Sequence, residues 1–208
     1  MASYIVKLLK TDKKVLWLVC GGSNIPYSVK AMGIIRSEVV AESQLANLTI
    51  SLTDERFGPV GFKNSNWQQL IEAGFDFKGL NVMPVLIGKS LEETTRIFGE
   101  NMRTAIQNAD SIVAQFGIGA DGHIAGILPD SLAAGSKETA YGYKTPQFER
   151  ITLTFMTLKK IDAAFAFVFG ESKRESIRKL KGEALPLNEE PCQILKQLEE
   201  ANIYSDCG

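Results

Sequence analysis

The chain has 208 residues and only one histidine, His123. Its three cysteines, Cys20, Cys192 and Cys207, stand at no metal or redox spacing. A zinc site built from the usual ligands is therefore not expected, and no metal is assigned. An odd, sparse set of cysteines suits a reducing compartment, and Cys20, at the end of an apolar run, is expected to be buried and inert. Charge of one sign is also lacking. The 23 basic and 24 acidic side chains leave a net charge of −1, without the basic bias of a nucleic-acid partner. No apolar run approaches the roughly 20 residues of a membrane span. The opening stretch MASYIVKLLKTDKK has neither the sustained apolar core nor the small-residue cleavage site of a secretory signal. Neither G-x-x-x-x-G-K-[ST] nor G-x-S-x-G occurs. These absences point to a cytoplasmic globular protein that handles a small molecule, with no nucleic acid or membrane as partner.

What is present is an alternation of strands and helices. Lys14–Cys20 is apolar and β-prone, and it breaks at Gly21-Gly22-Ser23-Asn24-Ile25-Pro26. Proline suits a first helical turn, so a helix is expected from about Pro26. Leu48–Thr53 is a second strand. It ends at Asp54-Glu55-Arg56, followed by a loop and an N-cap region at Asn64-Ser65-Asn66. Asn81–Ile87 reads as a third strand. Ser90 with Glu93 three residues later has the look of a capping box, for a helix to about Asn108. Asp110–Gly117 is the fourth strand. Residues 130–147 are polar and read as an irregular surface excursion. Arg150–Phe155 and Ala163–Phe169 are two further strands, and the second runs through Gly170-Glu171-Ser172-Lys173 into a helix. Pro191–Ala201 reads as a last helix, with an edge strand over Asn202–Ser205. Residues 1–13 read as a short helix or arm. No repeat or linker interrupts the series, so one domain over 1–208 is expected. Its fold class is α/β, with a mostly parallel, Rossmann-like sheet flanked by helices on both faces.

Four polar clusters then fall at the carboxyl ends of strands, where open α/β sheets bind ligands. They are Gly21-Gly22-Ser23, Asp54-Glu55-Arg56, Asp121-Gly122-His123 and Gly170-to-Lys173. Any one of them alone is weak; a lone Gly-Gly-Ser is more often a plain turn. A glycine loop opening a helix, with Arg56 and Lys173 near, suits a phosphate. Asp121 and His123 suit proton transfer near neutral pH. Together they indicate acid–base chemistry on an anionic, phosphorylated small molecule.

The stretches TDER (Thr53–Arg56), NSN (Asn64–Asn66), GIGADGHIAGILP (Gly117–Pro129), RITLT (Arg150–Thr154), GESK (Gly170–Lys173) and ALP (Ala184–Pro186) resemble, in the same order, the 6-phosphogluconolactonase family. The wider superfamily includes glucosamine-6-phosphate deaminase/isomerase. In the deaminase branch a Phe-Asn-Glu follows the histidine loop. Here Gly126-Ile127-Leu128 stands there and the glutamate is missing; Arg56 is likewise lactonase-like. The resemblance implies hydrolysis of 6-phospho-D-glucono-1,5-lactone in the pentose phosphate pathway. It implies His123 as general base, with Asp121 orienting it or holding hydroxyls. Gly21, Gly22, Ser23, Arg56 and Lys173 would bind the phosphate or neighbouring oxygens. Asp54, Asn66 and Arg150 are further substrate-binding candidates. No cofactor is implied. An amino-sugar-phosphate isomerase and a non-catalytic sugar-phosphate binder stay open as alternatives, as do a monomer and a small homo-oligomer.

Overall fold

The structure is a computed structural model in which residues 1–39, 41–145 and 147–207 are described. Its strands are β1 (Val15–Val19), β2 (Leu48–Leu52), β3 (Asp54–Arg56), β4 (Asn81–Val82), β5 (Ser111–Phe116), β6 (Ala140–Lys144), β7 (Glu149–Leu153), β8 (Ala163–Val168) and β9 (Glu200–Ser205). The helices are α1 (Ala2–Leu9), α2 (Ile25–Glu38), α3 (Glu42–Leu45), α4 (Asn66–Glu72), α5 (Leu91–Asn108), α6 (Leu132–Gly135), α7 (Phe155–Leu158) and α8 (Arg174–Gly182).

The main sheet has the order β4-β2-β1-β5-β8-β9. Every pairing in it is parallel. Its central strands β1 and β5 are buried at every position, which is why they read as unbroken apolar runs rather than alternating ones. Flanking helices close over the sheet, and Trp17 and Phe116 are among the largest fully buried side chains. From β1 the chain builds outward through β2 and β4. It then returns to the other side of β1 as β5. The turns leaving β1 and β5 therefore diverge, and a crevice opens between them at the carboxyl edge. No helix among the described residues is long and apolar enough to cross a membrane.

Several elements differ from expectation, each for a local reason. The strand expected over Asn81–Ile87 ends after Val82. Met83 still donates to Ile50, but Pro84 has no N–H with which to continue the ladder. Asp54-Glu55-Arg56, expected as the charged end of the second strand, forms a separate strand, β3, antiparallel to β7, and β7 pairs antiparallel with β6. The strand expected at Arg150–Phe155 thus belongs to a second, three-stranded sheet. Residues 130–147 are not wholly irregular. They contain α6 and β6, with Ala133, Ala140 and Tyr143 buried; Pro146 in this span lies outside the described residues. The expected helix Pro191–Ala201 is a 3-10 segment, Pro191–Gln197, and β9 begins already at Glu200. The Ser65 and Ser90 caps are present, accepting from the N–H groups of Gln68 and Glu93.

One buried carboxylate joins β3 to α4. Glu55 is 0% exposed. It accepts the N–H groups of Arg56 at 2.7 Å, Asn66 at 2.6 Å and Trp67 at 3.1 Å, and the Ser65 hydroxyl at 2.9 Å. Burial pushes its carboxyl up to about 7, against the pull of these four donors. A side-chain amide in its place would set N–H groups against N–H groups. Glu55→Gln is expected to lower the unfolding free energy by about 1–3 kcal/mol, measured by urea denaturation.

Candidate active site

The crevice between the turns of β1 and β5 is a cavity of about 260 Å³. Gly21, Gly22 and Ser23 line it from the β1 side, and Gly117 and Gly119 from the β5 side. Asp54, Arg56 and Arg150 enter from the small sheet, Asn66 from α4, and Lys173 from the turn after β8. A larger groove of about 600 Å³ opens at the opposite edge of the sheet, around Lys14, Asn47 and Asn108. It holds neither a histidine nor a carboxylate among its lining residues, whereas the smaller cavity has both, His123 and Asp54.

The histidine loop is a tight hairpin. Gly119 donates to the His123 carbonyl at 2.9 Å, and Gly122 donates to the Gly119 carbonyl at 3.1 Å. Ile118, Ile124 and Ile127 are buried and pin the loop to the core. Gly122, Ala125 and Gly126 all take positive φ, a region uncommon for a residue with a Cβ such as Ala125. The carbonyls of Gly119 and Ala120 accept from the Ser176 hydroxyl at 2.8 and 2.9 Å, which ties the loop to α8.

Within the loop, Asp121 Oδ1 lies 2.6 Å from His123 Nδ1 and also accepts the His123 N–H at 3.2 Å. The hydrogen bond from the imidazole is the main reason the Asp121 carboxyl is held down at about 2. An ionised carboxylate can only accept, so Nδ1 is the donor in this contact and Nε2 is left clear of Asp121. The imidazole lines the cavity and is 38% exposed, so solvent reaches it. Asp121 does not line the cavity; it stands against the ring.

The glycine loop is held from behind. Gln115 on β5 donates to the Asn24 carbonyl at 3.0 Å and accepts the Ser28 hydroxyl at 2.7 Å. Asn24 is buried and donates weakly to Phe116. Cys20 also reaches the cavity wall but is buried, which pushes its thiol well up and keeps it protonated. Opposite, Asp54 Oδ2 stands 3.7 Å from Arg150 Nη1. Arg56 donates to the Asn64 carbonyl at 3.2 Å. The guanidinium carbons of Arg56 and Arg150 lie 5.1 and 5.7 Å from the centre of the Phe148 ring.

Nine of the ten site residues read from the sequence line this cavity, and the tenth, Asp121, stands behind His123. The sequence reading passed over Phe148, Asn24 and Ser176. A signal for Phe148 existed, since it stands two residues before Arg150, immediately ahead of β7. Asn24 and Ser176 act through backbone contacts that no local pattern announces.

The family model described as glucosamine-6-phosphate isomerases/6-phosphogluconolactonase matches residues 1–204. The chain belongs to this family. Among curated proteins, a 6-phosphogluconolactonase of Borreliella burgdorferi is 28% identical over 159 residues, covering 70% of this chain and 66% of that protein. Among solved structures, a 6-phosphogluconolactonase from Shewanella baltica matches with a TM-score of 0.80 at 18% identity, over 98% of this chain and 88% of the other. One from Thermotoga maritima gives 0.76 at 19% identity, over 98% and 94%. A monomeric glucosamine-6-phosphate deaminase gives 0.78 at 18% identity, over 99% and 91%. The fold is therefore common to both activities in the family's name, and side chains must separate them.

A Cβ at Gly119 would fall 2.0 Å from His123 Nδ1 and 2.3 Å from Asp121 Oδ1. Gly119→Ala is therefore expected to push the imidazole aside and cut kcat by about 10²-fold, with the fold retained. Steady-state kinetics beside a circular-dichroism melt would check both halves.

Proposed function

We propose that this chain hydrolyses 6-phospho-D-glucono-1,5-lactone to 6-phosphogluconate in the pentose phosphate pathway, as one cytoplasmic domain over 1–208. The observation that carries this reading is the Asp121–His123 pair at 2.6 Å beside a cavity that also holds Arg56, Arg150 and Lys173. Family membership and the curated lactonase relative support it. The deaminase reading lacks support at the residue level, because Gly126-Ile127-Leu128 offers no carboxylate after the histidine loop.

In this mechanism His123 Nε2 takes a proton from water as the water oxygen bonds to the lactone carbonyl carbon. The tetrahedral intermediate then collapses, and the bond from that carbon to the ring oxygen breaks. The imidazolium returns its proton to the leaving ring oxygen, which becomes the C5 hydroxyl. Asp121 holds the ring in the productive tautomer and stabilises the imidazolium between the two steps. Arg56, Arg150 and Lys173, with Ser23 and the amides of Gly21 and Gly22, hold the phosphate. Asp54 and Asn66 face the sugar hydroxyls. A lactone needs no activation beyond a base and positioning, so no metal or organic cofactor enters.

His123→Ala is expected to lose at least about 10²-fold in kcat, measured against the lactone's uncatalysed decay. A variant as fast as wild type would sink the mechanism, and ammonia release from an amino-sugar phosphate would move the chain to the deaminase branch. Lys173→Ala removes binding shared by ground and transition states, so it is expected to raise KM with little change in kcat.

A further inference from the structure

Arg56 and Arg150 face each other directly across the β3–β7 pair. Like charges at that station of an antiparallel ladder repel. Their protein partners do not relieve this. Arg150 has one loose ion pair with Asp54 at 3.7 Å, and Arg56 has one carbonyl. The Nε atoms of both are buried and have no hydrogen-bond partner among the described residues. What the two cations share is the Phe148 ring, at 5.1 and 5.7 Å.

An aromatic ring attracts a guanidinium through its quadrupole and provides a flat surface to stack on. It neutralises no charge, so with one ion pair between them among the described residues, Arg150 to Asp54, the paired arginines keep a net positive charge for a ligand. Phe148 is itself fixed. Thr145 bonds it at both ends, its hydroxyl accepting the Phe148 N–H at 3.1 Å and donating to the Phe148 carbonyl at 2.7 Å. The ring also forms part of the cavity wall.

We infer that Phe148 is a positioning residue for the substrate's phosphate, holding the Arg56 and Arg150 guanidinium groups side by side against their repulsion. This deepens, and rests on, the reading of the cavity as a phosphosugar site. Without the ring the two side chains spread apart and the anion loses a paired contact.

The test compares Phe148→Leu, which keeps an apolar side chain but no π face, with Phe148→Tyr, which keeps both. For Phe148→Leu, KM for the phosphorylated lactone is expected to rise about tenfold, the scale of two such contacts, with kcat held within about twofold. KM for the unphosphorylated δ-lactone should not move, and Phe148→Tyr should behave as wild type. Inorganic phosphate, titrated by calorimetry, should bind the Leu variant about tenfold more weakly. This arm needs no turnover, so it judges Phe148 even if the lactonase reading fails. Unchanged phosphate affinity in a folded Leu variant would overturn the inference. So would an equal rise in KM for both lactones, since the ring would then be contacting the sugar rather than holding the arginines.

Discussion

The order of strands in the main sheet constrains everything at the site. Because the chain builds outward from β1 and then returns to β1's other flank as β5, the turns after these two neighbouring strands must part at the carboxyl edge. The β1 turn carries Gly21-Gly22-Ser23, and the β5 turn carries the histidine hairpin. Their separation is the cavity, and it follows from topology rather than from any one side chain. The small sheet then closes the open side with Asp54, Arg56 and Arg150.

Buried anchors hold several of the polar groups at this edge. Glu55, wholly enclosed, fixes the backbone of Arg56 and Asn66, two cavity residues from different elements. Gln115 does the same for the glycine loop through Asn24 and Ser28. Each anchor's acceptors and donors are well used, and such a network is costly to break once water is excluded. The buried Nε atoms of the cavity residues Arg56 and Arg150 are without a hydrogen-bond partner among the described residues. Preorganised positive charge lacking a full set of protein partners is what an anion-binding wall requires.

Much of this was legible in the chain itself. Long apolar runs at Val15, Ser111 and Ala163 announced buried parallel strands, and Ser65 and Ser90 announced helix starts. Glycine spacing before His123 marked the loop, because a Cβ at Gly119 would fall 2.0 Å from the imidazole Nδ1. The second sheet was not legible. β3 is three residues of charge, and its strand character comes from pairing with β7 about a hundred positions away. The same holds for β6 within 130–147, whose polar composition hides two buried positions. Pro84, by contrast, was in plain view, and the strand expected through it ignored the missing donor.

Ser176 sits on α8, one turn past Lys173, and its hydroxyl holds the carbonyls of Gly119 and Ala120. Lys173, the residue just before that helix, and the hairpin that carries the imidazole are thus joined through one element, so a tilt of α8 would shift both cavity walls in concert.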